Sequence, residues 1–267
     1  MTRNKNTEIN FHNERYKDGD DTRKGFEKFY TITINAQNYF KEQFTKIITK
    51  NKYPKVLDYG CGIDAHGFLG TIKNTNHPEN IFDFYKKHKM KFYGIDISPE
   101  AIRIAKKNQK KIKFNATYEV MDAEKTKYKN NSFDLIFGKG IIHHLSYNNC
   151  LPELARLINE EGSCLFFEPL HHHPIIRLGR FFTPTKRTVD EHPIKSSDLI
   201  KFKKYFTEVN YKSFCLTNLA AFIFYRTPLF KTMLNFFNMF DNYLFKNFPF
   251  LRKYGWIVVL ELKKPSK

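Results

Sequence analysis

The sequence predicts a doubly wound α/β fold built on a parallel sheet. Short apolar runs alternate with helical segments, and each run ends in an acid or a glycine. The first run, Lys55–Tyr59, closes on Asp58 and continues as Tyr59-Gly60-Cys61-Gly62. Gly60 and Gly62 carry no Cβ, so the chain can turn sharply there and approach a ligand closely. A strand ending in acid-x-Gly-x-Gly opens a nucleotide-type site in such folds, whose ligands sit at the carboxyl ends of the strands.

The 267 residues suffice for one domain with insertions. Residues 1–53 read as an N-terminal arm and helices, with 54–267 as the domain proper. Insertions are expected at 64–90, 170–197 and 218–254, the last forming a cap. Four scattered cysteines, without a Cys-x-x-Cys pair, argue against a zinc knuckle or a disulfide framework and fit a reducing cytoplasm. The polar start, Met-Thr-Arg-Asn-Lys-Asn, lacks the apolar core of a signal peptide. A net charge of +18 admits a nucleic-acid or anionic-membrane partner. The basic residues lie largely on ordinary helix faces, however, and Lys, Asn, Ile, Phe and Tyr are all abundant, as a coding bias would produce.

In chain order, residues 1–25 read as a loose arm. From Phe26 to Ile48, apolar residues at near-helical spacing predict one or two helices beside the sheet. Pro54 breaks that pattern before the first strand. Residues 64–80 carry turn chemistry and Ile81–His88 a helical pattern. The second strand, Lys91–Ile95, leads to Asp96. Ser98 then caps a helix with Pro99 at its first position, running to about Asn108. Strands Tyr118–Met121 and Phe133–Phe137 follow, then helix Cys150–Asn159, strand Ser163–Phe167, helix Ser197–Tyr205, strand Val209–Leu216 and the terminal strand Trp256–Leu262. Within 218–254, Phe230, Met233, Leu234, Phe237, Phe240, Leu244 and Phe248 share one helical face. The longest charge-free run, Ser213–Tyr225, is too short to cross a bilayer.

Five segments in order resemble the class I S-adenosylmethionine-dependent methyltransferases. They are Val56–Gly62, Gly94-Ile95-Asp96-Ile97-Ser98, Met121-Asp122-Ala123-Glu124, Phe133–Phe137 with the following Ile141–Leu145, and Leu154–Phe167. The resemblance covers roughly 54–169 plus the last strand. It implies a Rossmann-like sheet, mostly parallel with an antiparallel last strand, and S-adenosylmethionine as cofactor, released as S-adenosylhomocysteine. Carried over residue by residue, Gly60 and Gly62 would let backbone N–H groups approach the methionine part, with Asp58 anchoring its polar end. Asp96 would accept from the ribose hydroxyls, Ile97 would pack on the adenine, Asp122 and Ala123 would bind its edge, and Gly138 would leave room beside the methionine. Asp96 lies 36 residues beyond Gly60, against roughly 20 in a compact unit, and Asp64 stands where the family commonly has a third glycine. NAD binding ranks lower because Gly-x-Gly-x-x-Gly would need a glycine at Ala65.

Methyl transfer is an in-line displacement that needs positioning and, for a protonated acceptor, a base. His143, His144 and Glu168 are the catalytic candidates. For the two histidines, orienting the loop and packing are the competing roles. Residues 168–193, with Glu168-Pro169, Arg177, Arg180, Thr183-Pro184, Arg187-Thr188 and Glu191-His192-Pro193, resemble the quinone-biosynthesis type of small-molecule methyltransferase. His173, Arg177, Arg180 and Arg187 are the candidate acceptor-binding residues, against salt bridges to Asp190 and Glu191. Three adjacent histidines rarely face one ion, so no metal is assigned. The expected activity is O-methylation of a small, partly apolar metabolite. The alternatives are an RNA methyltransferase, which lacks the Asn/Asp-Pro-Pro-aromatic motif after the fourth strand, and a non-catalytic membrane-peripheral binder. Residues 218–254 are the candidate membrane contact or lid.

Overall fold

Alternation along the strands sends apolar side chains to both faces of one sheet, and helices cover both. The computed structural model describes residues 5–17, 30–63, 88–112, 115–183, 188 and 191–266. Its strands are β1 (Lys55–Tyr59), β2 (Lys91–Asp96), β3 (Ala116–Val120), β4 (Phe133–Lys139), β5 (Ile158–Pro169), β6 (Phe206–Phe214) and β7 (Ile257–Pro265). The order is β3-β2-β1-β4-β5-β7-β6. β1 to β5 run parallel, whereas β7 is antiparallel to both β5 and β6. This is the Rossmann-like architecture that the alternation and the resemblance imply. The order reverses between β1 and β4, which opens a crevice at their carboxyl ends.

The described α-helices are α1 (Lys5–Tyr16), α2 (Ile34–Ile48), α3 (Pro99–Ile112), α4 (Tyr147–Leu157), α5 (Pro174–Phe182), α6 (Leu199–Lys203) and α7 (Phe230–Asn247). On one face, Val56, Leu135, Phe137, Leu165 and Val259 pack with Phe40, Phe44 and Ile48 of α2. On the other, Leu57, Ile136, Phe166 and Leu260 pack with Leu151 and Leu154 of α4. Each such side chain contributes about 1.5–3 kcal/mol on burial, so the two layers hold the strand ends in fixed register. Ser98 caps α3 as its position demands, its Oγ accepting from the Ala101 N–H at 3.1 Å.

Two expectations need correction. Residues 5–16 are no loose arm: they form α1, which lies against α3. Its contact face carries Lys5, Glu8, His12 and Tyr16, spaced by three or four residues, so an apolar periodicity does not reveal it. In α7 the buried stripe is Leu234, Asn238, Asp241 and Phe245, while Phe240 and Phe248 are exposed. The register is set by two buried polar groups. Asp241 accepts from the Leu216 and Thr217 N–H groups and the Thr217 hydroxyl at 2.8, 2.8 and 2.6 Å, and Asn238 accepts from Asn218 at 2.9 Å.

Other bounds shift by a few residues. α4 starts earlier than expected, at Tyr147, and the expected helix 197–205 is a 3-10 turn, Ser196–Asp198, followed by the short α6. β6 starts at Phe206 and ends at Phe214. The turn-rich 64–80 and all but the last residue of the expected helix 81–88 fall outside the described residues.

Candidate active site

The glycine turn after β1 adopts the conformation its composition requires: φ is +80° at Gly60 and +57° at Gly62. A Cβ at Gly60 would lie 2.8 Å from the Ile141 side chain. The backbone donors of the turn point inward. Gly60 and Cys61 both donate to the Ile95 carbonyl at 2.9 Å, and Gly62 donates to Asp96 Oδ2 at 2.9 Å. In this arrangement these N–H groups weld the turn to the end of β2. Asp58 is buried within β1.

Asp96 gains a fixed orientation from this arrangement. Its Oδ2 takes the Gly62 N–H and its Oδ1 the Ser98 N–H, each at 2.9 Å. Each oxygen retains a second lone pair. Ile97 is partly buried beside it. Beyond β3, Asp122 Oδ1 accepts from the Glu124 N–H at 2.9 Å. The Ala123 carbonyl accepts from the Tyr59 hydroxyl. Gly138 is buried, and a Cβ there would lie 2.6 Å from Ile141 Cγ2 and 2.7 Å from the Tyr59 carbonyl. The space it saves is taken by that loop packing rather than left open.

Helix α1 lies across these strand ends. Lys5 pairs with Asp122 and, at 3.2 Å, with Glu124. Asn13 accepts from the Ser98 hydroxyl at 2.6 Å. Tyr16 is buried against Ala101 and Ile104 of α3. Glu8, also buried, contacts His144 Nδ1 at 3.0 Å and His12 Nε2 at 3.2 Å. These residues join the candidate site although the sequence reading missed them. The available signal was the polar face at i, i+3/i+4 spacing that includes Lys5, Glu8, His12 and Tyr16.

The loop after β4 is organised by Glu168, which is fully buried at the end of β5. Its Oε1 accepts the Ile141 and Ile142 N–H groups at 2.9 Å, and its Oε2 lies 2.6 Å from His143 Nδ1. His143 Nε2 lies 3.6 Å from Glu191, which in turn pairs with Arg180 at 2.7 Å. Burial disfavours a charged imidazole at His143, but hydrogen bonds to Glu168 and Glu191 outweigh it and push the pKa up to about 9. Burial would raise Glu191, yet His143 and Arg180 hold it at about 2. At His144, burial and the charge on His143 push the pKa down to about 4. For Glu8, hydrogen bonds from His12 and His144 overcome burial and keep the carboxyl well below its ordinary range.

The two adjacent histidines therefore differ at neutral pH. His143 is a buried cation between carboxylates. His144 is neutral, and its Nδ1 faces Glu8, which fixes the proton on Nδ1 and leaves a lone pair on Nε2. Ligand-type atoms of His143, His144 and Glu191 lie within 4.8 Å of one another. His143 and Arg180 already balance the carboxylates Glu168 and Glu191.

The candidate acceptor residues separate. His173 is the N-cap of α5: its Nδ1 accepts from the Ile176 N–H at 3.3 Å, so its Nε2–H donates to the Leu216 carbonyl at 3.2 Å. It is 1% exposed, with both ring nitrogens committed to the chain, which assigns it to the scaffold. Arg180 is held by Glu191, Arg177 is exposed, and Arg187 lies outside the described residues.

Residues 50–180 match the family described as a methyltransferase domain. The matched stretch, just under half of the chain, is similar to a methyltransferase domain. Phosphoethanolamine N-methyltransferase 3 of Arabidopsis thaliana is 31% identical over 104 residues, which are 39% of this chain and 18% of that protein. Phosphoethanolamine N-methyltransferase 2 of Haemonchus contortus, solved with S-adenosyl-L-methionine, superposes with a TM-score of 0.61 at 15% identity, over 96% of this chain and 60% of that one. A putative sarcosine dimethylglycine methyltransferase of Galdieria sulphuraria gives 0.57 at 11% identity, over 86% of each chain. The chain thus spans less than two thirds of the plant and nematode proteins, and the structural likenesses establish a shared fold.

Proposed function

We propose that the whole chain transfers a methyl group from S-adenosylmethionine to a small, partly apolar metabolite, on oxygen, with an acceptor of the quinone-biosynthesis type. The observation that carries this reading is His144, neutral and oriented by Glu8, on the loop beside the cradle of Gly60, Gly62, Asp96 and Asp122. Bound in that cradle, the cofactor supplies an already activated sulfonium methyl. Asp96 holds the ribose hydroxyls with its remaining lone pairs, and Asp122 with the Ala123 turn receives the adenine edge once Lys5 withdraws. Ile97 covers the adenine face. His144 Nε2 would take the proton from the acceptor hydroxyl, and the bound cofactor would supply the methyl group to that oxygen. Glu168 and His143 are positioning residues that fix the loop carrying His144. Arg177 and Arg187 remain the proposed acceptor contacts, with Arg180 acting through Glu191. The proposed setting is the cytoplasm, in keeping with four buried free thiols, with 218–254 giving peripheral contact to a membrane.

Calorimetry and turnover test the two halves separately. Asp96→Ala is expected to abolish measurable S-adenosylmethionine binding, and unchanged binding overturns the cradle. His144→Gln is expected to leave that binding intact and lower kcat by roughly 10²–10⁴. Unchanged kcat on an acceptor hydroxyl overturns the base assignment. Mass and NMR analysis of the product distinguish oxygen from nitrogen methylation.

A further inference from the structure

Both segments that rim the acceptor side leave the carboxyl edge of the sheet with a large apolar surface in water. Helix α5 follows β5, and α7 lies in the connection from β6 to β7. Residues at i, i+3 and i+7 of α5 form an outward stripe, Ile175, Leu178 and Phe182, and no residue of the helix is buried. Phe181 and Phe182 are 76% and 71% exposed, which alone leaves roughly 200–400 Å² of aromatic surface in water. Helix α7 is apolar on two sides. One side enters the core, while Phe236, Met239 and Tyr243 point outward. Patches larger than about 300–600 Å² on a monomer mark an interaction site.

Charge identifies the occupant. Segments 170–183 and 215–256 together carry seven Lys and Arg against one acid, Asp241, and that acid is buried under the Leu216–Thr217 turn. Six of the seven, all but Arg180, are exposed. Beside the exposed Phe250 opens a cleft of about 250 Å³ with Lys195, Arg252 and Lys253 on its wall and Leu170, Val258 and Leu260 among its lining. Exposed aromatic side chains on segments whose exposed charges are all cationic match an acyl–headgroup boundary that carries negative charge. A second copy of this chain would bring the same positive charge to the contact, which disfavours self-association through this face. No described helix is long and apolar enough to cross a membrane.

We infer that α5 and α7 dock this protein on an anionic lipid bilayer, with the cleft at Arg252 and Lys253 receiving a lipid phosphate, so that the acceptor is taken from the bilayer. The docking part deepens the membrane contact proposed above for 218–254, and the acceptor part rests on the proposed methyl transfer. Leu216 joins the two helices physically: its N–H is held by Asp241 of α7 and its carbonyl by His173 at the start of α5. The start of α5 and the middle of α7 are thereby tied to the same backbone segment.

Co-sedimentation of the full chain with phosphatidylglycerol-containing or pure phosphatidylcholine vesicles tests the inference. Strong partitioning to the anionic vesicles, weakened by salt, is expected. Phe181→Glu with Phe182→Glu, and separately Phe236→Glu with Met239→Glu, should each lower partitioning by roughly tenfold or more. Their melting temperatures and calorimetric S-adenosylmethionine affinity should stay as in the parent protein. Arg252→Ala with Lys253→Ala should remove the preference for phosphatidylglycerol. Equal partitioning of all variants, indifference to lipid charge, or a dimer in solution that the phenylalanine variants dissociate would each overturn docking. Binding to vesicles without any affinity for S-adenosylmethionine would leave docking standing and defeat the methyl-transfer reading alone.

Discussion

Helices α1 and α7 both stand at the carboxyl edge of the sheet, and they are held there by opposite means. Helix α1 buries only Glu8 and Tyr16, and it is tied down by Lys5, Glu8 and Asn13 to groups at the ends of β2, β3 and β4. Helix α7 buries Leu234 and Phe245, packs Met233 and Phe237 on the core shared with α2, and locks its register with Asp241. Ion pairs at a partly exposed lysine are worth little and exchange readily, whereas a buried carboxylate holding three donors does not. The contacts of one wall are thus weaker and more readily exchanged than those of the other.

The largest effect that separates the two walls is expected at Asp241. Asp241→Ala orphans the Leu216 and Thr217 N–H groups and the Thr217 hydroxyl, and should cost roughly 3–5 kcal/mol in urea denaturation. A loss below about 1 kcal/mol would show that α7 is held by apolar packing alone.

A smaller effect is expected from pH on the other wall. Folding lowers His144 from 6.5 to about 4, so the unfolded chain takes up that proton first and stability falls as pH drops through this window. Glu191, lowered from 4.5 to about 2, extends the loss further into acid. His143 has the reverse sign: raised from 6.5 to about 9, its contribution is complete below pH 6.5 and is lost as pH rises through 9. The melting temperature should therefore peak near neutrality, and His143→Gln should flatten the alkaline limb. An alkaline limb unchanged in that variant would refute the buried cation.

The smallest effect is expected at Lys5. Lys5→Ala removes the partner of Asp122 and should speed cofactor association by up to roughly fivefold, with a weaker salt dependence. Slower association in stopped-flow mixing would mean that Lys5 recruits the cofactor instead of competing with it.

The same contrast explains what the residues disclosed in advance. Strand ends were legible because burial on both faces forces apolar runs, and because Gly60, Asp96 and Asp122 punctuate them. The chemistry of the 141–144 loop was only half legible. His143 and His144 are identical in composition, and only Glu168, 25 positions away, and the burial of His144 beside that charge make one a cation and leave the other neutral. Helix α1 was missed because polar contacts fix it. The inward face of α7 was misassigned because Asn238 and Asp241 are buried by specific partners that no hydropathy pattern encodes.

Lys5 and Glu8 stand three residues apart on one helix, the first on Asp122 and the second on His144. Any displacement of α1 that freed Asp122 from Lys5 would therefore also take Glu8 from the loop histidine. Without Glu8, His144 would lose the carboxylate that holds the proton on its Nδ1 and leaves Nε2 with a lone pair.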